Sequence, residues 1–234
     1  MNIYFNGDSN TIGTELINPE VEAFPTILSS LLNAASFRND ALAGASNSRI
    51  MRTTEQYLFD CKNKQEFPDM IIIGWSSMER EDWYYKSAYR SLNSFGLNMD
   101  TAKEHDIDRY NYWKQHYWQD KSKANSNRRA MSIHFNNSIF NLHSELTELK
   151  IPHVFFNALT SFSYDFNDDT DHPYEFDWGT SFIEPYNQDA CMVEWAQSKG
   201  HIPTEWLHFD KEAHKEFADL LFGYIKDNNI IISR

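Results

Sequence analysis

Ile3-Tyr4-Phe5-Asn6-Gly7-Asp8-Ser9-Asn10 decides how the rest of the chain is read. Its first half is a short apolar and aromatic run, the pattern of a strand buried on both faces, and Gly7-Asp8-Ser9-Asn10 ends it in a tight polar turn. Such a turn presents a hydroxyl, that of Ser9, at the carboxyl edge of a sheet, where open α/β sheets bind their ligands. Asp8 or Ser9 at this place also serves to cap the following segment, so the turn alone does not establish a nucleophile.

Two further runs, residues 70–74 and 153–157, repeat the strand pattern. Between and after them lie helical patterns. Residues 46–61 carry Ile50, Tyr57 and Leu58 behind a Ser/Asn start, and 125–150 carry Ile133, Ile139, Phe140, Leu142, Leu146 and Leu149. Residues 210–224 place Ala213, Phe217, Leu220, Leu221 and Tyr224 on one side. Strands alternating with helices predict a mostly parallel sheet covered on both faces, a single flavodoxin-like three-layer α/β/α domain over residues 1–234. Residues 81–125 and 159–188 fit no such unit and read as insertions of loops and helices over the carboxyl ends of the strands.

Composition narrows the function classes. Among 234 residues, 34 acids against 21 bases leave a net charge of −13, which repels a phosphate backbone and argues against nucleic acid as a partner. No apolar run approaches the roughly 20 residues that span a bilayer, and residues 1–6 carry no leader pattern, so the expectation is a cytoplasmic protein without membrane attachment. Cys61 and Cys191, with no CxxC pair, read as two buried or half-buried thiols. The 17 Phe, 12 Tyr and 7 Trp are a high share, and the clusters at 83–89 and 110–118 mix them with charge. They suit a groove for sugar rings or acyl groups, although partial burial yields the same composition.

At the far end, Glu205-Trp206-Leu207-His208 sets a carboxylate and an imidazole three apart, just before the last helical pattern. Ser9, His208 and Glu205 supply the three parts of acyl transfer. His214 is the competing base, with Asp210 four residues earlier; the better reading makes Asp210 a helix cap and His214 a helix residue packed or paired at i,i+4.

These residues resemble the blocks of the SGNH/GDSL hydrolase superfamily. Gly7-Asp8-Ser9 is similar to its nucleophile turn, and Asn39-Asp40-Ala41-Leu42-Ala43-Gly44-Ala45-Ser46 looks like its second block, where a glycine amide helps to form the oxyanion hole. Ile71-Ile72-Ile73-Gly74-Trp75-Ser76-Ser77 falls where the family has a strand followed by Gly-x-Asn-Asp, and the stretch from Leu207 to His214 is similar to its Asp-x-x-His-Pro block. The four occur in family order over nearly the whole chain. The variants around Gly44 and Ser76 resemble a divergent, phage-type branch. What the resemblance implies is a serine esterase or acyl hydrolase with Ser9 as nucleophile, His208 as base and Glu205 as its orienter. The oxyanion donors would be the amides of Ser9 and Gly44, with Ser76 standing where the family has an Asn amide. Asn10, Asn47 and Arg80 are the alternatives for that missing donor, with Asp8 supporting the turn.

No cofactor is called for. Neither HExxH nor a ligand-spaced carboxylate group occurs, so no metal site is expected. The alternation Asp165, Asn167, Asp169 hints at a calcium loop, but Thr170 replaces the turn glycine and Phe176 the bidentate acid. GxGxxG and GxxxxGK[ST] are absent. The expected ligand is a small-molecule or glycan ester. The rival expectation is a binding protein that keeps the hydrolase fold with weakened catalysis and recognises glycan or a protein partner. Oligomeric state is not legible.

Overall fold

The computed structural model describes residues 1–78, 80–85, 88–93, 121–162 and 176–230, with only the backbone described for 81, 83–85, 88–93 and 121–131. Four strands, β1 (Asn2–Asn6), β2 (Ser36–Asn39), β3 (Met70–Trp75) and β6 (His153–Asn157), form one sheet in the order β2-β1-β3-β6. All three pairings are parallel, with Ile3 opposite both Phe37 and Met70, and Gly74 opposite Phe156. Strands β4 (Arg80–Tyr85) and β5 (Ala88–Asn93) make a separate antiparallel hairpin. The helices are α1 (Ser9–Ile12), α2 (Pro19–Glu22), α3 (Phe24–Leu31), α4 (Asn47–Lys64), α5 (Lys121–Glu148), α6 (Met192–Ser198) and α7 (Lys211–Asp227). The chain is a single α/β domain of three layers.

Strand alternation sorts the core into two halves. Ile3, Phe5, Met70, Ile72, Val154 and Phe156 pack against Phe24 and Leu28 of α3 and Phe217, Leu221 and Ile225 of α7. Their neighbours Tyr4, Ile71, Ile73, Trp75 and Phe155 pack against Ile50 and Leu58 of α4 and Ile139, Leu142 and Leu146 of α5. Because both faces are covered, β1, β3 and β6 read as continuous apolar runs, and each fully buried side chain contributes roughly 1.5–3 kcal/mol by leaving water. Helix starts follow their caps: Ser46 accepts from the Arg49 N–H at 3.1 Å, and Asp210 from the Ala213 N–H at 3.0 Å.

The hairpin corrects one expectation. Within the segment 81–125, read as a partly helical insertion, residues up to 85 and 88–93 are strand, while 86–87 and 94–120 lie outside the described residues. Of the 159–188 segment, 163–175 lies outside as well, and with it the acidic alternation tested against calcium. The side chains of both aromatic clusters are also beyond description. Among the described residues, no helix is long and apolar enough to cross a membrane.

The strand order reverses between β1 and β3, which opens the crevice of a doubly wound sheet at their carboxyl ends. Two glycines close this crossing. A Cβ at Gly7 would collide with the Thr11 hydroxyl, and one at Gly74 would fall 2.6 Å from Phe156 Cζ and 2.8 Å from Thr11 Oγ1. Helix α1 therefore lies directly on the ends of β1 and β3. Gly74→Ala is expected to cost about 1–3 kcal/mol through overpacking, read as a fall of several degrees in the thermal midpoint. An unchanged midpoint would mean that Phe156 and Thr11 give way freely.

Candidate active site at the carboxyl edge of the sheet

Ser9 is the first residue of α1, directly beyond β1. Its N–H has no carbonyl upstream within the helix. The expected cap is present: the Asp8 Oδ1 accepts from the Asn10 N–H at 3.0 Å. The loop after β2 is drawn over the same place, since the Asp40 N–H donates to the Phe5 carbonyl at 2.9 Å and the Leu42 N–H to the Gly7 carbonyl at 3.2 Å. Gly44 follows in the left-handed region, with φ of 74°, and its N–H donates to no backbone carbonyl among the described residues. The turn that bears Ser9 and the loop that leads to Gly44 thus meet at one edge of the sheet.

Behind Ser9 lies a buried ion pair. Asp8 is fully buried, and its Oδ2 accepts from the Ser76 hydroxyl at 3.0 Å and from Arg80 Nη1 at 3.1 Å. The same Nη1 donates to Ser76 Oγ at 2.9 Å. Asn47 holds the Ser76 backbone from both sides, its Nδ2 donating to the carbonyl at 2.9 Å and its Oδ1 accepting from the N–H at 2.8 Å. This network corrects the expected role of Ser76. Its one hydroxyl hydrogen points to a carboxylate that outcompetes any neutral acceptor, so it is not the third oxyanion donor. Asn47 braces the β3 exit with its Oδ1 and one of its two Nδ2 hydrogens, and Arg80 sets its charge on Asp8. Asn10 differs from both, being 1% exposed with neither amide atom partnered.

His208 is buried, and its Nδ1 lies 2.9 Å from Glu15 Oε2. The Thr204 hydroxyl donates to the same Oε2 at 2.6 Å. Thr204 also closes a turn around the histidine: its N–H donates to the His208 carbonyl at 2.8 Å, and its Oγ1 accepts from the His208 N–H at 3.3 Å. Thr204 first, and then the His208 ring, hold the Glu15 carboxyl below the usual carboxylate range, so it is ionised at neutral pH. An ionised carboxylate only accepts, hence Nδ1 carries the hydrogen and a neutral ring keeps its lone pair on Nε2.

The sequence assigns this role to Glu205, and the structure corrects it. Glu205 is exposed and makes no hydrogen bond or ion pair among the described residues. Leu207, with φ of 61°, reverses the chain between the two, and the ring meets the turn after α1 instead. That turn belongs to the nucleophile segment, for the Thr14 N–H donates to the Ser9 carbonyl at 3.0 Å and Glu15 comes next. No local pattern marks Glu15, whose partner stands 193 positions away. The rival His214 accepts from the Phe24 N–H at 3.3 Å and stacks on the Phe24 ring, the packed residue its place on the helix suggests.

Residues 9–174 match the model of a family of unknown function (DUF6071). The chain belongs to that family. The DUF6071 span takes in Ser9, Gly44, Ser76 and Arg80 and stops before His208. No curated protein matches this DUF6071 chain. Among solved structures it is similar to the psychrotrophic esterase EstA from Pseudoalteromonas sp., inhibited by monoethylphosphonate, at a TM-score of 0.44 and 12% identity, with 97% of each chain covered.

Elsewhere, no group of three or more His, Cys, Asp or Glu is placed to hold a metal among the described residues. Both cysteines are buried and free, and burial pushes the Cys191 thiol up to about 12, which leaves it inert.

Proposed function

We propose that this protein is a serine ester hydrolase of the SGNH type, with Ser9 as nucleophile and His208 as general base. What supports the reading is the His208 ring, bound through Nδ1 to Glu15, which lies in the turn that follows Ser9. In the first step His208 Nε2 takes the hydroxyl proton as Ser9 Oγ bonds to the ester carbonyl carbon. The carbonyl oxygen becomes an oxyanion received by the N–H groups of Ser9 and Gly44. Collapse breaks the bond to the alcohol, which leaves with the proton from His208, and water repeats the sequence on the acyl enzyme. Without Ser76 as donor, two amides bear the charge unless Asn10 turns its unpartnered amide to it. One missing donor costs about 3 kcal/mol, so slow turnover is expected. Exposed Leu42, Ile202, Trp206 and Leu207 flank these segments and suit an acyl chain or a sugar face.

The test is labelling by a fluorophosphonate together with hydrolysis of p-nitrophenyl acetate and acetylated sugars. Ser9→Ala is expected to abolish labelling and to lower turnover about a thousandfold or more. Equal behaviour of wild type and variant in both assays defeats the assignment. The commitment of the Ser76 hydroxyl to Asp8 favours a second reading, a fold that binds a glycan or protein partner without efficient catalysis. A ligand that raises the thermal midpoint equally in wild type and Ser9→Ala, with no turnover, would support it.

A further inference from the structure

We infer that Glu15 is the positioning carboxylate for His208, held to that task by Thr204, so that the first turn of the chain orients a base supplied by its last loop. This rests on Ser9 and His208 being nucleophile and base. Three observations converge on the contact. The Glu15 carboxylate receives both the His208 ring at 2.9 Å and the Thr204 hydroxyl at 2.6 Å on a single oxygen, Oε2. Thr204 in turn is tied to the His208 backbone in both directions, so ring, loop and carboxylate move as one unit.

The third observation is backbone strain. Seven residues other than glycine have positive φ among those described, and Asn33, Gln65, Lys150 and Asn229 sit at helix ends, where a left-handed residue is ordinary. Glu15, at 70°, Glu184, at 38°, and Leu207, at 61°, do not. Glu15 and Leu207 flank the same hydrogen bond, Glu15 as its acceptor and Leu207 as the residue before His208, and the surrounding contacts must sustain both left-handed conformations. Strain on one partner and on the neighbour of the other marks a geometry worth holding.

The carboxylate acts through the ring, and its side chain is 38% exposed. Water screens part of its field, so it stabilises the imidazolium less than a buried acid would. The larger share of its effect is the choice of tautomer. If Nδ1 loses its acceptor, the hydrogen is free to move to Nε2, and the ring then has no lone pair for the Ser9 proton.

Glu15→Gln keeps shape and hydrogen bonding to Thr204 but offers an amide that can donate to Nδ1 and so select the wrong tautomer. The experiment combines two readouts on the full-length protein. In ¹⁵N-histidine spectra at neutral pH, with His208 assigned by His208→Gln, wild type is expected to show the Nδ1–H tautomer and Glu15→Gln a shift to Nε2–H. On p-nitrophenyl acetate, kcat is expected to fall about a hundredfold with KM within about twofold, and Glu15→Asp to recover part of the loss. A thermal midpoint close to wild type, expected for an exposed side chain, separates this from unfolding. An unchanged His208 tautomer in Glu15→Gln, or a kinetic loss confined to Glu205→Gln, overturns the assignment. Absence of any Ser9-dependent turnover would defeat the hydrolase reading instead and leave the tautomer result to decide on Glu15.

Discussion

Arg80→Met is expected to unfold at markedly lower urea than wild type, a loss of about 3–5 kcal/mol. The guanidinium and the Asp8 carboxylate pair at 3.1 Å with side-chain exposures of 9% and 0%. Removing the cation strands a carboxylate in the interior with only Ser76 and the Asn10 N–H as partners among the described residues, and it is that stranded charge, more than the lost attraction, that destabilises. The double variant Asp8→Asn with Arg80→Met removes both charges and keeps an amide oxygen for the cap, so it should regain a large part of the loss. Equal urea midpoints for the single variant and wild type would show that Asp8 finds another partner. The pair has a structural consequence too. Arg80 begins β4, and two residues on Asp82 meets Arg52 of α4 at 2.7 Å. The hairpin is thus anchored to the turn before Ser9 and to the helix after Gly44.

The second large effect is expected on acidification. Burial pushes two histidines down to about 4: His153, whose neighbour His143 lowers it further, and His214 among α3 and α7. The His153 Nδ1 donates to the Ile151 carbonyl at 2.9 Å, which leaves its Nε2 to accept from His143 Nδ1 at 2.8 Å. Between the ordinary value of about 6.5 and the folded value the unfolded chain binds a proton that the folded chain does not, so acid favours unfolding. Stability is complete above pH 6.5, falls progressively toward pH 4 and levels off below it for these groups. Each histidine accounts for about 3 kcal/mol over that window. Urea midpoints measured from pH 7.5 to 4.5 should show the fall, and His153→Gln and His214→Gln should each flatten it. A profile unchanged by either replacement would mean that the rings pick up protons without leaving the fold.

How far the sequence carried the reading depended on burial. Strand β6 was legible to the residue and β1 and β3 to within one, because strands covered on both faces show as uninterrupted apolar runs. Strand β2 lies at the sheet edge with Ser36, Phe37 and Arg38 exposed, so no burial pattern marks it. The hairpin escaped because a stretch rich in charges and aromatics carries no clean alternation. The site divides the same way. Caps act over three residues, and Asp8 and Asp210 were legible as such. The Glu15 to His208 contact joins the two ends of the chain and leaves no local trace, so the nearest acid, Glu205, was the natural but mistaken choice. Ser76 was misjudged because its partner, Asp8, sits 68 positions earlier.

The last helix to pack, α7, carries Phe217, Leu221 and Ile225 onto the Ile3, Phe5, Ile72 and Phe156 side of the sheet. During translation the four parallel strands are all available once Asn157 leaves the ribosome, yet this side has α3 over it, joined by Met192 and Trp195 of α6, until Lys211–Asp227 follows. At ordinary synthesis rates the interval lasts roughly 3 to 14 s. For that time the nascent protein offers a greasy half-sheet to its neighbours, which closes when α7 docks on it.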